Sequence, residues 1–134
     1  MDRKFLTAVV AAFVVEFILL FLAHGILLAP DYAAFPAVYR GPTFQPGLFA
    51  ILLLAMLFTA TAMVAIYRFG MQDRPFLGQG FRFGLMAAGM SVIPAYLAGY
   101  AVTNISFNLA FKQIIVETII MAVMGMVIAW VYSR

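Results

Sequence analysis

The absences in this sequence exclude several classes of site. Cysteine is missing, which excludes disulfides, thiolate metal sites and cysteine nucleophiles. Charged residues make up only 10% of the 134 residues, against about 25% in soluble domains. The basic residues are scattered, so the formal charge of +3 does not indicate nucleic-acid binding. The single histidine cannot supply a multi-histidine metal site from one chain.

Apolar residues dominate what is present. They make up 66% of the chain, against about 45–50% in soluble proteins. A small soluble domain buries only ~60–70% of the surface that its unfolded chain exposes, so this excess predicts a lipid environment. Apolar stretches that reach the ~20 residues needed to cross a bilayer occur at residues 5–28, 48–67, 83–102 and 111–132. We therefore predict an all-α, polytopic membrane protein, one transmembrane domain over residues 1–134 that forms a four-helix bundle.

The first apolar stretch and the distribution of Lys and Arg predict the topology. The first stretch is longer than the roughly 7–15 apolar residues of a signal peptide, so it is predicted to remain as a helix. Lys and Arg are retained on the cytoplasmic side of a membrane. Six of them fall on one side of the four predicted spans and two on the other: Arg3, Lys4, Arg68, Arg74, Arg82 and Arg134 against Arg40 and Lys112. Both termini are therefore predicted to be cytoplasmic, and Tyr32, Tyr39, Tyr96 and Tyr100 would mark the external membrane interface.

Residues 29–47, here called the Pro-rich loop, form the predicted first external connection. Their four prolines exclude a continuous helix and favour turns and extended pieces: Pro30, Pro36, Pro42 and Pro46. The aromatic side chains of this loop could lie against the membrane surface or a partner.

Small residues recur every four positions in the third predicted helix. They are Ala87, Ser91, Ala95 and Gly99. Helices in lipid approach closely where their side chains are small, so this strip predicts helix packing and an interior position for the third helix. Pro94 interrupts the same helix, either as a hinge or as a static kink.

Three methionines, Met121, Met124 and Met126, lie close together in the fourth predicted helix. Thioether groups can coordinate copper(I), but this spacing favours adaptable packing against other helices.

Glu16 is the most informative polar residue. It lies about eleven residues into the first helix, which at 1.5 Å per residue is ~16 Å deep, near the bilayer midplane. An ionisable group there usually marks a functional site or a polar pairing. Glu16 is either a proton-exchanging carboxylate that faces a cavity or a protonated side chain that is hydrogen-bonded to another helix.

A second group of polar residues is predicted near the external end of the bundle. His24 and Glu117 lie at comparable depth in the first and fourth helices, and Gln113 precedes Glu117 by one turn. Asn104 and Asn108 flank the second external turn and could reach toward them. One His and one Glu form an incomplete metal site, and a bis-histidine haem would need His24 of a second copy. We therefore predict no metal and no cofactor.

The internal connection carries a weak phosphate-loop pattern at Gly78, Gln79 and Gly80. No strand precedes it, so the pattern alone does not predict nucleotide binding. Arg82, which lies between two phenylalanines at a helix entrance, is typical of a side chain that anchors to lipid headgroups.

Two resemblances follow from these residues. The glutamate in the middle of the first of four helices resembles the small multidrug resistance transporters, which would imply a dimer that exchanges protons for cations at Glu16. The long first external loop and the missing Trp-containing glycine motif depart from that family. The chain is more similar overall to small bacterial four-helix membrane proteins of unknown function, through Gly25, Thr103 with Asn104, and Glu117. That resemblance implies the bacterial inner membrane and no particular activity.

These observations favour a non-enzymatic, multi-pass protein of the inner (plasma) membrane. We predict an accessory or assembly subunit that binds other membrane proteins, pigments or lipids, since the sequence contains no nucleophile triad and no nucleotide fingerprint. Its partners would be the lipid bilayer and other membrane subunits or a second copy of itself. The alternative is a small proton-coupled transporter or channel that works as a homo-oligomer through Glu16, assisted by His24 and Glu117. A third hypothesis is an enzyme that acts on lipid through His24 and Glu117.

Overall fold

A computed structural model describes residues 2–41 and 43–134, and these residues contain helices and no strand. The elements are α1 (Arg3–Leu20), a π-helical segment (Phe21–Leu27), α2 (Ala29–Ala33), α3 (Pro46–Gly70), α4 (Phe76–Met90), α5 (Val92–Val102) and α6 (Phe107–Ser133). They form four spans that are long and apolar enough to cross a membrane: Arg3–Leu27, Pro46–Gly70, Phe76–Val102 and Phe107–Ser133. The prediction of a four-helix membrane bundle is confirmed.

The third and fourth spans begin earlier than the sequence predicts. The third begins at Phe76 and not at residue 83, because the glycines that follow are accommodated inside the helix and Pro75 stands at its N-cap. The fourth begins at Phe107 and not at residue 111, because the Ser106 hydroxyl accepts a hydrogen bond from the Leu109 amide at 3.2 Å. A serine in this position satisfies one of the free N–H groups of the first turn.

The first span changes its helical winding before it ends. α1 buries a stripe at every fourth residue, formed by Ala8, Ala12 and Glu16. From Phe21 onward the winding is π-helical, and the last π-type bond runs from the Leu28 amide to the Ala23 carbonyl at 2.8 Å. A π-helical turn is rare and is often found at functional sites.

The last span forms the centre of the bundle. In the apolar segment of this span, 44% of the residues are buried inside the structure, against 11% in the third span. Met124 and Ile128 of α6 are fully buried beside Met121, at 8% exposed. Met121 and Met124 therefore pack in the core of the bundle.

The closest helix contact joins α4 to α6. A Cβ atom added at Gly80 would lie 2.7 Å from the Met126 Cα, and one added at Gly84 would lie 2.6 Å from the Ala122 Cα. From the α6 side, a Cβ at Gly125 would lie 2.8 Å from the Gly84 nitrogen. The two backbones touch at these glycines, as in other close contacts of membrane helices.

The predicted packing strip of the third helix is only partly used, and its interior position is wrong. Ala87 is buried, whereas Ser91 and Ala95 are exposed and a Cβ added at Gly99 would meet nothing within 4 Å. The helix is interrupted at Ser91, whose hydroxyl donates to the Ala87 carbonyl at 2.7 Å. Pro94 causes the interruption, because it has no N–H for the carbonyl one turn earlier.

The Pro-rich loop folds back over one end of the bundle. It begins with the short helix α2 and continues in turns, with hydrogen bonds from Phe35 N to Tyr32 O at 3.0 Å and from Tyr39 N to Phe35 O at 3.1 Å. Lys112 of α6 forms an ion pair with Asp31 of α2 at 2.8 Å, which ties the loop to the last helix. The predicted turns are present, while Pro42 lies outside the described residues. Both termini lie at the opposite end, where the Lys4 ammonium donates to the Arg134 carbonyl.

Candidate functional site

A polar cluster lies beneath the Pro-rich loop. Its members come from the π-helical segment, the loop, α5 and α6: His24, Tyr32, Tyr39, Tyr96, Gln113 and Glu117. Three of these residues, His24, Gln113 and Glu117, are candidates that the sequence also placed near this end. The structure brings them together through side-chain hydrogen bonds.

His24 connects two halves of the polar cluster. Its Nε2 lies 2.6 Å from Oε1 of Glu117, and its Nδ1 is hydrogen-bonded to the Tyr32 hydroxyl. The His24 and Tyr32 rings are nearly parallel, with an angle of 18° between their planes. The side chains of His24 and Glu117 are 24% and 15% exposed, so the pair is held at the edge of the bundle and is not sealed inside it.

Gln113 orders the tyrosines and sets the direction of the hydrogen bonds. Its side chain, 3% exposed, donates to the Tyr32 hydroxyl at 3.4 Å and to the Tyr39 hydroxyl at 3.2 Å. Since Tyr32 accepts from Gln113, its own proton is available for Nδ1 of His24. The Nε2 proton of His24 then points to Glu117, and the bonds form one continuous chain from Tyr32 through His24 to Glu117.

Two further features stabilise this arrangement. Tyr96 of α5 donates to the same Glu117 oxygen at 3.3 Å. Burial raises the pKa of Tyr32 to about 12, against the opposing effect of its hydrogen bond with Gln113. Tyr32 therefore stays a neutral hydrogen-bond donor throughout the physiological pH range, as the chain of bonds requires.

The polar cluster lines part of a cavity of about 570 Å³. His24, Tyr32, Tyr39, Tyr96 and Glu117 contribute to this lining. The large apolar side chains of the lining come from the first and second spans: Phe17, Leu20, Phe21, Phe49, Leu52 and Met56. The cavity therefore has a mixed polar and apolar lining.

Three polar groups that line the cavity are available to a ligand. Arg40 of the Pro-rich loop has no ion-pair partner among residues 2–41 and 43–134. The Tyr39 hydroxyl accepts from Gln113, which leaves its proton free, and Oε2 of Glu117 accepts no hydrogen bond from the described part of the chain. The site offers donors from Arg40 and Tyr39 and an acceptor from Glu117.

Glu16 lies apart from this cavity. It is 5% exposed on the buried stripe of α1, and its Oε2 is enclosed without a hydrogen-bond partner in the described ranges. It is not among the residues that line the cavity. The two intramembrane carboxylates therefore occupy different surroundings.

Asn104 and Asn108 do not join the polar cluster, which corrects the expectation that they could reach it. Both are exposed, and neither side chain makes a hydrogen bond to the described residues. The helix-capping role near this turn belongs to Ser106. Asn104 precedes the cap and Asn108 lies in the first turn of α6 on its exposed side.

The sequence predicts Tyr32, Tyr39 and Tyr96 at the membrane interface and Arg40 only as one of the external charges. The structure places these four side chains around the cavity. A signal for Tyr32 was present, since a histidine inside a membrane span needs a partner for each ring nitrogen and Glu117 can serve only one. No comparable sequence signal identifies Arg40.

In the described part of the chain, no three His, Cys, Asp or Glu side chains come close enough to hold a metal ion. His24 and Glu117 would supply only two ligands, and His24 Nε2 is already hydrogen-bonded to Glu117 Oε1.

Comparisons with protein-family models, with curated proteins and with solved structures found no significant match. The two family resemblances of the sequence therefore stay predictions, and the function is inferred from the geometry.

Proposed function

We propose that this chain is a non-enzymatic membrane protein that binds an amphipathic molecule dissolved in the bilayer. The observation that supports the proposal is the mixed lining of the cavity, which combines the polar cluster with large apolar side chains. A molecule with a small polar head and a hydrophobic body matches both kinds of lining residue.

The size and position of the cavity support this class of ligand. Its volume of about 570 Å³ falls within the roughly 300–1,000 Å³ of small-molecule sites. Phe21 and Leu52 of the apolar lining are 59% and 51% exposed, which supports a lining that is open to the lipid-facing surface. A ligand can enter from the bilayer without crossing water.

The available polar groups limit the chemistry of the head. Arg40 and Tyr39 require acceptor oxygens, and Oε2 of Glu117 requires a donor. An N–H or O–H group next to a carbonyl or another oxygen satisfies all three. Burying such groups without partners costs about 1–3 kcal/mol each, so the site favours a ligand that pairs with them over a plain hydrocarbon.

Of the partners that the sequence left open, this geometry supports a pigment or a lipid more directly than another membrane protein. The accessory role stays part of the proposal. A ligand held at the edge of the bundle is within reach of a neighbouring subunit.

The test is native mass spectrometry, with an absorption spectrum, of the protein purified from its own membrane in a gentle detergent. We expect the wild type to carry a small molecule, and we expect Glu117→Gln to lower its occupancy about tenfold, as loss of a charged hydrogen-bond partner predicts. Arg3→Gln is the matched control, because it also removes one charge but lies at the other end of the bundle. Equal occupancy in wild type and Glu117→Gln would contradict the proposal.

A proton-coupled transporter that works through Glu16 is the second candidate. It is supported by the burial of Glu16 near the predicted midplane, where an ionisable residue costs on the order of 2.5–3.5 kcal/mol and is seldom found without a function. By native mass spectrometry, Glu16→Gln is expected to retain the bound molecule. In proteoliposomes, the same variant is expected to abolish the proton-coupled uptake of a substrate. Uptake that survives Glu16→Gln would exclude this candidate.

A further inference from the structure

A second cavity lies at the opposite end of the bundle, where both termini are found. Its volume is about 370 Å³, and it lies between the end of α3 and the beginning of α4. Arg74, Arg82, Tyr67 and Gln79 line it. None of these residues belongs to the polar cluster, so this cavity is independent of the proposed ligand site.

The charge of this cavity is uncompensated. Arg74 and Arg82 both line it, and neither forms an ion pair with the described residues. Among the residues that the structure describes, none that lines this cavity is acidic; Asp73 lines the neighbouring cavity, to which Arg74 also contributes. Two arginines with no carboxylate between them favour an anion.

Tyr67 adds a hydrogen-bonding group to the same cavity. Its side chain is 3% exposed and is fixed by an edge-on contact with the Phe83 ring, with 5.3 Å between the ring centroids. The Tyr67 hydroxyl makes no hydrogen bond within residues 2–41 and 43–134, and it is not among the enclosed polar atoms. Because Tyr67 lines the cavity, its hydroxyl proton is available to a ligand there.

The connection that carries Arg74 is held in place. The Gln72 amide donates to Oε1 of Gln79, and Nε2 of Gln79 donates back to the Gln72 carbonyl, both at 2.8 Å. This pair of bonds fixes the loop against the first turns of α4. The loop that carries Arg74 and the helix that carries Arg82 are therefore held in a fixed relative position.

We propose that this cavity binds the phosphate group of an anionic phospholipid. Arginine suits a phosphate because its guanidinium donates two parallel hydrogen bonds to the oxygens, and the Tyr67 hydroxyl supplies a third donor. Ile66 and Met86 line the same cavity and are 48% and 67% exposed on the outside of the bundle. This apolar wall gives the acyl chains a surface and distinguishes a lipid from a free phosphate ion.

The experiment is a lipid titration followed by native mass spectrometry. The full-length protein in detergent is mixed with phosphatidylglycerol or with phosphatidylcholine of the same acyl chains. We expect phosphatidylglycerol to be retained and phosphatidylcholine to be lost, and we expect Arg74→Gln combined with Arg82→Gln to lower phosphatidylglycerol occupancy about tenfold. Arg3→Gln, which removes a charge from the same end of the bundle but not from the cavity, is expected to bind like the wild type.

Two further variants separate the site from general attraction and from misfolding. Tyr67→Phe removes only the hydroxyl and is expected to lower occupancy less than the double variant. Arg82→Lys keeps the charge but lacks the planar guanidinium group. A several-fold loss of phosphatidylglycerol occupancy in this variant supports a phosphate site of defined geometry, even if the double variant does not fold.

Three outcomes would overturn the proposal. If phosphatidylcholine is retained as well as phosphatidylglycerol, the lipid charge has no role in binding. If Arg3→Gln lowers phosphatidylglycerol occupancy as much as the double variant does, the effect comes from the net charge of the surface and not from this cavity. Inorganic phosphate that binds alone and displaces phosphatidylglycerol at equal concentration would identify a free-anion site.

Discussion

Single residues in this protein depend on partners that are distant in the sequence. Tyr32 lies in a Pro-rich loop, yet its hydroxyl is bonded to His24 and Gln113, which belong to two different spans. Its proton completes the chain of bonds that ends at Glu117. The loop is therefore part of the site and not only a connection.

The pH dependence of stability tests the role of Tyr32. Burial raises its folded-state pKa to about 12 from 10.0, so the unfolded chain loses the Tyr32 proton at a lower pH than the folded protein does. The stabilisation from the neutral phenol is complete below pH 10 and is lost as the pH rises through about 12. We expect unfolding curves of the wild type to show this loss and those of Tyr32→Phe to show less of it. An ultraviolet difference titration of the two proteins should show the Tyr32 phenolate forming near pH 12, and formation near pH 10 would contradict the burial.

The sequence revealed some of these residues and not others. Glu16, His24 and Glu117 stand out because an ionisable group inside an apolar stretch is costly and needs an explanation. Tyr39 and Arg40 do not stand out, since tyrosine and arginine are ordinary in an interfacial loop. Their position depends on how the loop folds back, which the prolines permit but do not determine.

Among the elements, α4 and α6 make the contact that most restricts the sequence. Gly80 and Gly84 allow the α4 backbone to touch the α6 backbone, which no larger residue would allow. The sequence predicts close packing through small residues that recur every four positions from Ala87 onward. The structure has this kind of packing, but at Gly80 and Gly84 in the first half of the span and not in the half after Ala87. The break at Ser91 separates the two halves, and the direction of a chain after such a break cannot be inferred from composition.

Two alanine substitutions in α4 test this contact against each other. Gly84→Ala would place a methyl group 2.6 Å from the Ala122 Cα and is expected to destabilise the protein by about 1–3 kcal/mol, as overpacking does. Gly89→Ala lies in the same helix with nothing within 4 Å and is expected to stabilise it by roughly 0.5–1 kcal/mol. Reversible unfolding in mixed detergent micelles measures both. Equal effects of the two substitutions would contradict the backbone contact.

At the scale of the whole molecule, the number of spans was predictable because each apolar stretch is long enough to cross the bilayer by itself. The central position of the last span was not predictable, since the first, second and fourth spans are similarly apolar, with mean hydropathies of 2.7, 2.5 and 2.4. The structure places both termini at one end, and the distribution of Lys and Arg predicts that this end is cytoplasmic.

The absence of cysteine allows a direct test of orientation. Single Ala37→Cys and Ser133→Cys variants introduce one thiol at each end of the bundle, on exposed residues. In intact cells, a membrane-impermeant maleimide is expected to label Ala37→Cys and to leave Ser133→Cys unlabelled until the cells are lysed. The reverse pattern would invert the predicted topology.

The contact between α4 and α6 also has a consequence for biosynthesis. The residues that complete it, Ala122 and Gly125, are translated after the first three spans, so these spans can enter the membrane before their central partner exists. Until then the glycine face of α4 is open to lipid or to any other helix with small residues. A chain that stalls before Phe107 lacks the core of the bundle and the Glu117 carboxylate of the cavity, and membrane quality-control proteases should remove it faster than a chain that contains α6.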